Sequence, residues 1–101
     1  MIKSMINDKK VRRDINGLYF DVVDAFVDTS EKVDRHQFTK GEAITTLTSV
    51  LARGRNQYQN IKNQNKQYED LFIESDKKMN KLFRDMEALI EKYNADLSMH
   101  V

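Results

Sequence analysis

Two histidines, His36 and His100, are the side chains of this 101-residue chain that change charge near neutral pH. His36 lies in a polar linker and His100 beside the C-terminus. There is no Cys, so neither a thiolate nucleophile nor a disulfide framework exists, and no Gly-x-Ser-x-Gly elbow presents a serine. A carboxylate-bridged metal bundle needs Glu-x-x-His pairs on facing helices, and the chain contains none. The acidic stretch Asp28 to Asp34 lacks the alternating ligands and the sixth-position Gly of a calcium loop. Gly17, Gly41 and Gly54 are isolated, which excludes a phosphate-cradling glycine loop. The expectation is a non-enzymatic chain with no catalytic, cofactor-binding or metal-ligating residue.

Charge carries more information. Residues 1–13 hold five cations, Lys3, Lys9, Lys10, Arg12 and Arg13, against Asp8. Residues 14–34 hold six carboxylates, Asp14, Asp21, Asp24, Asp28, Glu31 and Asp34, against Lys32. Residues 35–66 are again basic and residues 67–101 acidic, so blocks of alternating sign cancel to a net +1. Such blocks suit antiparallel helix pairing or chain-to-chain matching, because complementary potentials set orientation. Arg53, Arg55, Lys62 and Lys66, interleaved with Tyr58, Tyr68, Asn and Gln, are the candidate nucleic-acid contacts. The small net charge argues against a dedicated DNA binder, and this reading is the alternative one.

The elements that would position these groups are helical. With no Pro, three Gly and 33% charged residues, the composition is far from that of a turn-rich β protein. From Asp8 to Arg35, Val11, Ile15, Leu18, Val22, Phe26 and Val33 recur at the three-and-four spacing of one helix face. Phe20, Val23 and Val27 broaden that stripe to one side and are the candidate partner-protein surface. A break at residues 28–31, followed by a short helix to Phe38, is the other reading of this segment. Thr39 and Glu42 have the spacing of a capping box, which starts a new helix near Lys40.

From Ile44 to Tyr93, steps of three and four residues reach apolar or aromatic side chains at twelve of fifteen positions. A 3.5-residue period of that length marks a left-handed coiled coil. A continuous helix from about 40 to 97 would run about 88 Å at 1.5 Å per residue. The first helix covers only half of such a seam, so either a second chain covers the remainder or the segment folds back within the weakly apolar residues 53–67. The unbroken register favours continuity. On that reading Leu47, Leu51, Tyr58, Ile61, Asn65, Tyr68, Phe72, Met79, Leu82, Met86, Leu89 and Tyr93 form an oligomer interface, with Asn65 setting register and Gly54 marking close approach or a weak point.

The predicted class is therefore all-α, one domain over residues 1–101. It has an amphipathic helix at about 8–35, a linker at 36–39 and a heptad helix at about 40–97. The expected assembly is an oligomeric helical bundle or coiled coil, with a monomeric three-helix bundle as the alternative. Residues 1–8 contain no apolar run of export-signal length and no segment approaches a membrane span, so a cytoplasmic location is expected. Length and helical plan are similar to the small helical-hairpin proteins of bacterial type VII secretion, although their Trp-x-Gly turn has no counterpart here because the chain lacks Trp. Composition is also similar to small phage-encoded proteins that block or adapt a host protein. The heptad spine leads to the expectation of a non-enzymatic helical interaction or adaptor protein that self-associates and binds a protein partner; the resemblances imply an accessory, chaperone-like or inhibitor role and transfer no residue.

Overall fold

The computed structural model describes residues 2–99, with side chains from Asp8 onward. Helix α1 spans Ile2–Asp34, α2 spans Lys40–Gln64 and α3 spans Glu69–Ser98, with a single 3-10 turn at Lys66–Tyr68 between the last two. The chain runs up, down and up, and the bundle measures 60 × 20 × 17 Å. Val22 of α1 meets Gly54 of α2, which in turn faces Phe83 of α3. Lys40 reaches Asp96, and Lys62 reaches Asp76. These pairings make α2 antiparallel to both neighbours and bring α1 and α3 parallel to each other.

α1 starts earlier than the periodicity alone placed it, and it runs through residues 28–31 without a break. Its end is a Schellman arrangement. The Gln37 N–H donates to the Lys32 carbonyl at 2.8 Å and the His36 N–H to the Val33 carbonyl at 3.0 Å, with His36 at φ 62° in the left-handed region. The expected capping box opens α2: the Glu42 N–H donates to Thr39 Oγ1 at 3.1 Å, and the Thr39 N–H donates to the Glu42 carboxylate at 3.3 Å.

The heptad segment is not one helix. It bends at Asn65, where φ −135° and ψ 42° leave the helical region and the Asn65 carboxamide donates to the Ile61 carbonyl at 2.8 Å. A side chain thus satisfies a carbonyl that the next helical turn would have satisfied. Folding back at the end of the polar stretch lets the two halves of the heptad stripe bury each other and the α1 stripe, where a single straight helix would leave them in water. Ala43, Leu47, Met79 and Met86 are fully buried, and Val11, Ile15, Leu18, Val22, Val50, Leu51, Tyr58, Phe72, Leu82, Phe83 and Tyr93 complete the core. No helix among the described residues is long and apolar enough to cross a membrane.

Candidate functional site

Three features bear on function: the outer face of α1, a polar cluster near the α2–α3 turn, and the basic residues of α2. On α1, Leu18, Val22 and Ala25 line the seam with α2, and Tyr19 turns toward α3, where Lys78 Nζ lies 4.6 Å from its ring centroid. Phe20 and Val27, two turns apart, point away from both and are 61% and 48% exposed. Val23 is half-buried and packs on the core, so the expected partner surface divides, with Phe20 and Val27 on the outside and Val23 largely spent within the chain. Around the exposed pair stand Asp21, Asp24, Asp28 and Glu31, all exposed.

The twelve residues expected to join separate chains have a different placement. Leu47, Leu51, Tyr58, Phe72, Met79, Leu82, Met86 and Tyr93 are buried inside one chain, and Ile61, Tyr68 and Leu89 are partly buried against the same core. Asn65, read as a register-setting position, is at the bend itself. Within the single chain, α3 folded back on α2 gives these side chains contacts in one core.

Near the turn, the Tyr58 hydroxyl accepts from Ser75 Oγ at 2.7 Å and donates to the Asp76 carboxylate. Lys62 Nζ donates to the same carboxylate at 3.1 Å and lies 5.4 Å from the Tyr58 ring centroid. Burial, and then the bond to Asp76, push the Tyr58 pKa well above its ordinary value, partly offset by the bond from Ser75. Such a phenol keeps its proton at neutral pH. The cluster ties α2 to α3, and among the described residues no buried side-chain N or O lacks a hydrogen-bond partner.

Of the four candidate nucleic-acid contacts, Arg55 pairs with Glu87 and stacks 5.6 Å over the Phe83 ring, while Lys62 is held by Asp76. Arg53 lies in a groove with Asp21 of α1, and Lys66 lies at the turn beside Glu69 and Asp70. The chain spends two of the four cations on its own carboxylates and does not gather the others onto one face. Lys40–Asp96, Arg55–Glu87 and Lys62–Asp76 all join an α2 cation to an α3 anion, so the alternating charge blocks pair helices of the same chain.

A groove of about 630 Å³ lies open at the turn end and is lined by Asp8, Arg12, residues 66–71 and Glu74, with charges of both signs. No group of His, Asp and Glu able to hold a metal ion occurs among the described residues, and His100 lies outside them. His36 is exposed in the linker and serves as the left-handed residue that ends α1. Comparison with protein families, with curated proteins and with solved structures found no match.

Proposed function

We propose that this chain is a non-catalytic helical interaction module that works through the outer face of α1. The observation that carries this reading is the exposure of Phe20 and Val27 on one face of a helix whose other faces are committed to α2 and α3. A phenyl ring in water costs free energy that contact with a protein surface recovers, and aromatic anchors dominate interface energetics. The surrounding carboxylates limit the partner to surfaces that offer cations. The nucleic-acid alternative has less support, because Arg55 and Lys62 already neutralise Glu87 and Asp76.

Site-specific photo-cross-linking in the expressing cells tests the reading. A photoreactive phenylalanine at position 20 should give adducts of discrete mass, while the same group at the exposed Asn56 on α2 should give none. Equal labelling from both positions, or no adduct from position 20, would remove the reading.

A further inference from the structure

The interaction reading leaves the occupant of the α1 face undefined, and the charges on that face define it. At about 100° per residue, Lys9, Arg13, Phe20, Val27 and Glu31 fall within about 40° of one another. Asp24 lies one step to the side. All six are exposed. The face therefore reads, along the helix, as two cations, a central phenyl, a valine and carboxylates.

A strip of that composition is complementary to itself only when reversed. Turning a second copy by a two-fold rotation about Phe20 sets Lys9 opposite the second copy's Glu31 and Arg13 between its Asp24 and Asp28, with the two Phe20 rings meeting at the axis. A parallel pairing would set cation on cation and carboxylate on carboxylate. Each contact of the reversed pairing occurs twice, as an isologous interface requires. Lys9, Arg13 and Asp24 have no ion-pair partner among the described residues. Asp28 and Glu31 hold only exposed pairs four residues on, with Lys32 at 3.1 Å and, just past the end of α1, Arg35 at 3.8 Å, which exchange readily for a facing cation. Gly17, where an added Cβ would meet nothing within 4 Å, leaves the strip low between Arg13 and Phe20.

We infer that the occupant is a second copy of this chain, joined through the outer faces of two antiparallel α1 helices about a two-fold axis at Phe20. The inference rests on the interaction reading and narrows it. Its interface is separate from the heptad core, so each copy keeps its three-helix fold.

Sedimentation equilibrium on the purified full chain tests it, over a concentration series at low and high salt. A reversible dimer is expected, weakened by salt because exposed ion pairs are screened. Phe20→Glu should leave a monomer of unchanged helicity under conditions where the parent chain is dimeric. Arg13→Glu alone and Asp24→Arg alone should each weaken the dimer by about threefold or more, since each substitution acts twice. The two combined in one chain should restore it, which a merely structural effect would not do. A chain that stays monomeric at every concentration overturns the inference, and so does a double variant as weak as the single ones. If position 20 then cross-links to a different protein, the second-copy assignment fails while the interaction reading stands. If it cross-links to nothing, both fail.

Discussion

A Cβ placed on Gly54 would stand 3.1 Å from Cε1 of Phe83, and equally close to Cγ2 of Val22. The three helices touch here, and glycine is the residue that lets them. Gly54→Leu should destabilise the chain by about 1–3 kcal/mol, because the added atoms displace a buried ring. Gly17, also inside a helix, faces open space. Gly17→Ala should stabilise by about 0.5–1 kcal/mol through helix propensity alone. Urea unfolding followed by circular dichroism reads both, and a cost at position 17 equal to that at 54 would contradict the packing assigned to Gly54.

His36 adopts φ 62°, a conformation that costs a residue with a Cβ about 1 kcal/mol relative to glycine. His36→Gly should therefore raise stability by about that amount, despite the greater freedom of glycine in the unfolded chain. Thr39→Ala should do the reverse by about 1 kcal/mol, since it removes the hydroxyl that accepts the Glu42 N–H. Thermal melts of the two variants should bracket the parent.

The Tyr58 hydroxyl gives stability an alkaline limb. Its pKa is raised in the folded chain, so the folded state holds that proton more tightly than the unfolded state does. The contribution is complete below the ordinary tyrosine pKa near 10 and declines as pH rises above it. In Tyr58→Phe this part of the alkaline decline should be absent. Tyrosinate absorbance offers an independent check: the Tyr58 phenol should ionise only as the helical signal is lost, read as the difference between the parent and Tyr58→Phe. Four tyrosines ionising together in the folded chain would show that the Tyr58 hydroxyl is not held as described.

Much of this architecture was legible because local chemistry reports itself. The Thr39 and Glu42 pair announced the start of α2, and Val11, Ile15, Leu18 and Val22 announced the buried stripe of α1. The α2–α3 turn was legible only as the alternative reading, a fold-back within residues 53–67, because it contains neither Gly nor Pro and Asn65 and Tyr68 keep the heptad phase. A turn made by one carboxamide bonded to a carbonyl leaves the periodicity intact. The end of α1 was read near residue 35 from the loss of periodicity, but its left-handed cap was not, since His36 occupies a position where glycine is the usual signal. Phe20 and Val27 were recognised as a flank of the stripe, but their separation from Val23 depends on where α3 lies. Distribution of the cations between surface and cross-helix pairs likewise depends on which helices are neighbours, and the charge blocks alone left that open.

The α2–α3 cluster has one more testable effect. Tyr58, Ser75, Asp76 and Lys62 come together only when α3 folds back on α2. Replacing Tyr58 by Phe and Asp76 by Leu together removes that meeting while keeping apolar volume. Refolded at high concentration, this variant should yield an exchanged dimer that survives the further change Phe20→Glu. Size-exclusion chromatography with light scattering distinguishes it from a monomer, and a wholly monomeric product would show that the cluster has no part in the fold-back.

Because Ile61, Asn65, Tyr68 and Phe72 stay in phase across the bend, the hairpin and a straightened rod shared with another chain bury nearly the same apolar side chains. Oily surface is thus almost indifferent to which shape forms. To the apolar contacts the fold-back adds a hydroxyl, a carboxylate and an amine joined across α2 and α3, so these polar groups act as a latch on the hairpin.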